Sequence, residues 1–147
     1  MTHEEVVRAY AIAAVANDNA ALEELRHPDW TVDWPQSGER VLGSANFASI
    51  TGNYPGGSPQ QRPGRIVGSG DRWVLSPSNT MVRVVGEGEA WWGEWQVTYP
   101  DGSEWFCVDL IQLREGKVFR ETVYWAAPLP TPEWRAQWVE RIEGGQK

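Results

Sequence analysis

Asp109 interrupts an otherwise apolar run, Trp105-Phe106-Cys107-Val108-Asp109-Leu110-Ile111-Gln112-Leu113. An ionised carboxylate among such neighbours is expensive to bury, so it must be neutralised, paired or set in a cavity. A second carboxylate, Glu121, follows in the segment Val118 to Trp125. By strand alternation Glu121 shares a face with Phe119, Val123 and Trp125, while Arg120, Thr122 and Tyr124 face the other way. Two carboxyl groups in one apolar setting could serve as proton donor and proton acceptor. The structural alternatives are an Asp109 paired with an arginine or a backbone amide, and a Glu121 paired across strands with Arg83 or Arg120. Both faces of the Asp109 strand are apolar, Cys107, Ile111 and Leu113 on one and Phe106, Val108 and Leu110 on the other, which predicts a strand covered on both sides.

The elements that would position these groups run from helices to strands. Thr2 and Glu5 form a capping-box pattern, after which Val6, Val7, Tyr10, Ala13 and Ala14 keep helical spacing to a break at Asn17-Asp18-Asn19. A short helix carrying Leu22 and Leu25 stops at Pro28, and Trp30 to Trp34 alternates as a strand ending at Pro35. Ser44 to Thr51 reads as a third helix. The Gly/Pro-rich stretch from Tyr54 to Gly64 reads as irregular. Five strands are expected beyond it, Arg72 to Ser76, Asn79 to Gly86, Trp91 to Tyr99, Glu104 to Leu113 and Val118 to Trp125, separated by turn residues that include Gly86-Glu87-Gly88. Thr131-Pro132-Glu133 opens a final helix with Trp134, Trp138 and Ile142 on one side. The sum is α+β, helices segregated against one curved antiparallel sheet in a single domain over 1–147.

Composition excludes several function classes. A formal charge of -7 and the absence of basic runs argue against a nucleic-acid or anionic-membrane surface. Ala9 to Ala16 is too short for a span, and its flank carries Glu4 and Glu5 against Arg8, so a cytoplasmic location is expected. Cys107 is the only cysteine and reads as an inert core thiol; with only His3 and His27 besides, there is no metal-site signature. Ten tryptophans are many for 147 residues, and Trp91, Trp92, Trp95, Trp105 and Trp125 crowd neighbouring strands. Most such rings build a core, but some can line a pocket for a flat, apolar ligand.

The order of elements, the phrase Asp33-Trp34-Pro35-Gln36-Ser37-Gly38-Glu39-Arg40, the strand Val108-Asp109-Leu110-Ile111 and the ending Arg120-Glu121-Thr122-Val123-Tyr124-Trp125 resemble the nuclear transport factor 2-like superfamily and, within it, the SnoaL-like group. The resemblance covers the chain to about Trp125. It implies a cone-shaped α+β domain, N-terminal helices over the concave face of the sheet, a cavity for a small apolar or aromatic ligand, and a homodimer packed through the sheets.

Three enzyme patterns of that superfamily fit unequally. Ketosteroid isomerases place a tyrosine and a protonated aspartic acid as oxyanion donors, which Tyr10 and Asp109 match, but their base position is held here by Trp34, with Asp33 pointing away. The cyclases of the SnoaL-like group have an acid/base aspartate where Asp109 stands, but their downstream His-Trp-Asp corresponds to Glu121-Thr122-Val123. The Arg-x-Asp of limonene-type epoxide hydrolases meets Trp92-Gly93-Glu94. The expectation is therefore a cofactor-independent proton-transfer enzyme of isomerase or cyclase type, with Tyr10 and Asp109 as donors and Glu121 as base. Trp34, Tyr54, Trp92, Glu94, Trp105 and Trp125 are the candidate substrate-binding residues. The alternative is a non-catalytic binding protein of the same fold.

Overall fold

The computed structural model describes residues 1–68, 72–75, 77–84 and 88–142. Helix α1, His3–Val15, starts on a complete capping box: Glu5 N donates to Thr2 Oγ1 at 3.2 Å and Thr2 N donates to Glu5 Oε2 at 2.6 Å. It turns Val6, Val7, Tyr10 and Ala13 inward. Asn17 takes a left-handed φ of 53° at the break, and Asp18 caps α2, Asn19–Leu25, by accepting from Ala21 N. Strands β1, Arg26–Trp34, and β2, Glu39–Leu42, lead to α3, Ser44–Gly52. Then follow β3, Gln60–Gly68; β4, Arg72–Leu75; β5, Met81–Val84; β6, Ala90–Thr98; β7, Glu104–Arg114; β8, Lys117–Ala126; and a 3-10 helix, Glu133–Trp138.

Six strands form one curved, open sheet in the order β2-β1-β8-β7-β6-β3, and β4 with β5 makes a separate ribbon. α1 packs onto β3 and β8, so the core lies between that helix and the concave face. It comprises Val6, Val7, Ala13, Leu22, Trp30, Val32, Val41, Ile111, Leu113, Val118 and Val123, with Tyr10 among them. The α+β cone expected from the sequence is the fold that forms. Among the described residues no helix is long and apolar enough to cross a membrane.

Several boundaries differ from expectation, each for a physical reason. The stretch from Tyr54 to Gly64 is not irregular throughout, because β3 begins at Gln60. Its Pro63 is tolerated on the sheet's edge, next to a register shift between Pro63 and Ile66. β1 does not wait for Trp30 but starts at Arg26 and runs through Pro28, again at a register shift, where β2 does not yet pair with it. The β1–β8 ladder is parallel, a long-range pairing in a sheet otherwise antiparallel. The predicted C-terminal helix is one short 3-10 segment, and Trp134, Trp138 and Ile142 are 73 %, 71 % and 75 % exposed instead of packed. Strand β5 starts at Met81 rather than Asn79; Ser76, Val85, Gly86 and Glu87, which the expected strands and turn included, lie outside the described residues.

Candidate functional site

Register brings the two carboxyl groups together. Asp109 on β7 lies opposite Gly93 of β6 and Val123 of β8, while Glu121 on β8 lies opposite Ile111 of β7 and Val32 of β1. The two acids are therefore diagonal neighbours on one face, a separation that long side chains span. That face is the concave one, and both residues are buried. They line a cavity of ≈ 350 Å³ enclosed by α1, α3 and the sheet, within the size range of small-molecule sites.

Glu121 Oε2 accepts from Tyr10 Oη and from Trp30 Nε1, each at 2.7 Å. The Tyr10 hydroxyl itself accepts from Arg26 Nε at 2.7 Å, so α1 carries a hydroxyl between a cation of β1 and a carboxylate of β8. Arg26 Nη1 also donates to Ser44 Oγ of α3 at 3.3 Å, and its guanidinium lies 3.5 Å from the centroid of the Trp30 ring. A cation stacked on an indole away from water is attracted by about 2 kcal/mol. Asp109 has no such set of partners: its Oδ1 is fully buried and unbonded. An orphaned buried polar atom of this kind costs about 1–3 kcal/mol, which a hydrogen bond to a ligand would recover.

Burial above all, then the charge of Glu121 and hydrogen bonding with it, push the Asp109 carboxyl well above the usual aspartate range, and Arg26 opposes them only in part. Burial likewise raises Tyr10, with Glu121 adding to the effect and Arg26 subtracting from it, so the phenol keeps its proton. Cys107, also on β7, is pushed up to about 12 by burial and by the nearby Asp109, which keeps it an unreactive thiol.

Of the aromatic residues singled out from sequence, Trp34, Tyr54 and Trp125 line the cavity. Trp34 and Trp125 meet edge to face at 5.6 Å, and Tyr54 stacks on Tyr99 at 5.7 Å. Trp92 is a correction: it stands on the outer face and does not line the cavity. Trp105 lies in an outer cleft, its Nε1 donating to Ser103 Oγ at 3.2 Å. Glu94 borders the cavity, but its carboxylate pairs with Arg65 at 2.7 Å on the surface, and that contact holds it below the ordinary glutamate range. Asp33 points away, as expected, and forms an ion pair with Arg40 at 2.6 Å. Glu121 has found Tyr10 and Trp30 instead of Arg120, which lies over the Phe119 ring; the side chain of Arg83 is outside the described residues.

Arg26 and Trp30 were not among the sequence candidates. The signal was present in parity, since Arg26, Trp30, Val32 and Trp34 occupy even positions of one strand, but Pro28 hid their continuity. Among the described residues no three His, Cys, Asp or Glu side chains are grouped to hold a metal ion.

No protein-family model matches the sequence, and no curated protein is significantly similar to it. Solved structures do match. An NTF-2 like protein of unknown function from Burkholderia xenovorans LB400 is 32 % identical, with 96 % of this chain and 95 % of that chain covered and a TM-score of 0.74. A candidate ketosteroid isomerase from Kribbella flavida DSM 17836 is 20 % identical, with 98 % and 92 % covered and a TM-score of 0.72. A candidate polyketide cyclase from Pseudomonas putida KT2440 is 24 % identical, with 84 % and 91 % covered and a TM-score of 0.59. The last two likenesses concern the fold alone.

Proposed function

We propose that this chain, which belongs to the nuclear transport factor 2-like family, is a cofactor-independent acid–base enzyme of isomerase or cyclase type acting on a small cyclic or aromatic carbonyl compound. The observation that carries this reading is the buried, unbonded Oδ1 of Asp109 beside Glu121 in an otherwise apolar cavity. Asp109, held protonated, donates a hydrogen bond to the ligand's carbonyl oxygen. Glu121 removes a proton from the adjacent carbon; the C–H bond breaks, its electron pair moves toward the carbonyl, and the oxygen gains negative charge under the Asp109 hydrogen bond. Returning the proton to another carbon completes an isomerisation; in a cyclisation the enolate carbon attacks a second carbonyl of the same molecule, the C=O π bond opens, and the resulting alkoxide takes the proton back from Glu121.

Tyr10 changes role relative to the expectation from sequence. Its hydroxyl hydrogen is committed to Glu121, so Tyr10 orients the base instead of donating to the ligand. Trp34, Trp125 and Tyr54 supply flat apolar walls for a ring. The proposed assembly is a homodimer through the outer face of the sheet, where Trp92 and Leu110 are exposed.

The second reading, a non-catalytic binding protein, draws support from the fact that Tyr10 and Trp30 already occupy Glu121 Oε2, while Asp109 Oδ1 is left as an unbonded polar anchor. A panel of cyclic ketones separates the two, with binding followed by quenching of cavity tryptophans and proton transfer by uptake of solvent deuterium. An enzyme loses a rate factor of about 10²–10⁴ in Asp109→Asn and in Glu121→Gln while still binding. Tight binding without deuterium uptake, unchanged in both variants, would establish the binder.

A further inference from the structure

Arg26 is only 6 % exposed, in a cavity whose polar floor is formed by Tyr10, Asp109 and Glu121. A buried cation needs a counter-charge, since desolvating it alone is far costlier than any contact with rings. Yet its Nε reaches the Tyr10 hydroxyl at 2.7 Å, and only through that hydroxyl, 2.7 Å from Oε2, is it joined to Glu121. No hydrogen bond joins it to Asp109, whose Oδ1 is unbonded. One cation thus faces two carboxyl groups and is wired to one of them.

Charge balance follows from that wiring. With both acids ionised the cavity carries a net negative charge, with neither a net positive one; a single proton on the pair leaves it neutral, the favourable state at low dielectric. The other ionisable groups near it do not alter the sum. α2, α3 and β3 contribute none to the lining, Tyr54 and Tyr99 stand where the cavity meets the outer cleft, burial pushing the Tyr99 phenol up to about 12, and the Glu94 carboxylate of β6 is paired with Arg65 outside.

We infer that Arg26 is the positioning residue of the carboxyl pair: through Tyr10 it holds the negative charge on Glu121 and leaves the proton on Asp109. The inference rests on the acid–base reading above and deepens it, by naming what decides which acid is which. It also narrows the ligand class. A ligand that enters uncharged and gives its proton to Glu121 passes the negative charge to itself without changing the total, whereas a ligand bearing a carboxylate adds a charge that one guanidinium cannot balance. Neutral, enolisable carbonyl compounds are therefore favoured over keto acids.

Infrared spectroscopy of the ligand-free protein at about pH 7 tests this without a substrate. Wild type should show a buried protonated-carboxyl band that vanishes in Asp109→Asn. In Arg26→Met combined with Asp109→Asn the band should return, because Glu121 takes up a proton once the cation is gone. Arg26→Lys with Asp109→Asn should remain without it. Arg26→Gln, which keeps a donor for Tyr10 but no charge, replaces Arg26→Met should circular dichroism show that variant unfolded. A folded double variant lacking both the cation and the band overturns the role of Arg26 and leaves the acid–base reading standing. A wild-type protein with no band overturns the proton assignment for the pair. Loss of deuterium uptake in neither Asp109→Asn nor Glu121→Gln would strike the acid–base reading alone.

Discussion

At Asp109 burial, the charge of Glu121 and hydrogen bonding with it all disfavour ionisation, and only the Arg26 guanidinium opposes them. The consequence for stability has a definite sign. Below the ordinary aspartate value of ~3.9 the acid is protonated in both folded and unfolded chains and contributes no pH dependence. Above it the unfolded chain releases the proton while the folded chain keeps it, so the native state binds more protons and stability falls as pH rises. The fall is at most about 1.4 kcal/mol per pH unit and ends where the raised folded value is reached. Asp109→Asn removes this dependence but leaves Glu121 and Arg26 in place. Urea unfolding at about pH 4.5 and about pH 7 should therefore show the variant gaining on wild type at the higher pH. A stability difference that stays constant across this range would mean that Asp109 is ionised or partnered in the native protein.

Among the elements, β3 closes one side of the cavity and is held there by its ladder to β6. At Gly64 the two backbones approach so closely that an added Cβ would meet the carbonyl group of Glu94, whose carbonyl carbon lies 3.0 Å away. Although β3 is the edge strand, Glu94 belongs to β6, which is paired on both sides, so its backbone cannot yield cheaply. Gly64→Ala should destabilise by about 1–3 kcal/mol and weaken ligand binding by displacing β3. Gly52→Ala, with open space around the added carbon and an ordinary backbone conformation, should change stability by less than about 0.5 kcal/mol. Equal unfolding midpoints for the two variants would show that β3 is not fixed at Gly64. The same strand shows where local sequence stops being informative. β7 and β8 were legible because strict alternation, a Glu-Gly turn and two acids on apolar rows are all local signals. β3 was not, because Pro63 and Gly64 break strands in general and are accommodated here only by an edge position and a bulge. The parallel β1–β8 ladder, and with it the placement of Arg26 beside Tyr10 and Glu121, depends on pairing residues some ninety positions apart, which no local pattern encodes. The two acids, Tyr10 and the cavity aromatics Trp34, Tyr54 and Trp125 could be named from sequence, whereas Arg26 and Trp30 could not. The cation that reaches Glu121 through Tyr10 needed the sheet.

For the whole molecule, the inner and outer rows of β7 have opposite fates. Cys107, Asp109, Ile111 and Leu113 are buried against the helices, while on the outside Val108 is 37 % and Leu110 47 % exposed. Their ladder partners continue the patch: Trp92 faces Leu110 and is 37 % exposed, and Tyr124 faces Val108 and is 45 % exposed. Large side chains adjacent on three strands form a contiguous apolar surface of the kind that marks an interface rather than the scattered exposure of a monomer. A second copy fits it by symmetry, since an isologous contact needs one self-complementary patch and β7 runs through its centre. The expected state is a homodimer at micromolar concentration with about 1,200–2,000 Å² buried. Leu110→Lys places an ammonium group in the middle of that contact and should shift sedimentation to the monomer. Its side chain points away from Asp109, so the protonated-carboxyl band should survive the loss of the partner. A wild-type monomer, or a Leu110→Lys protein that still sediments as a dimer, would mean that the patch is covered in some other way.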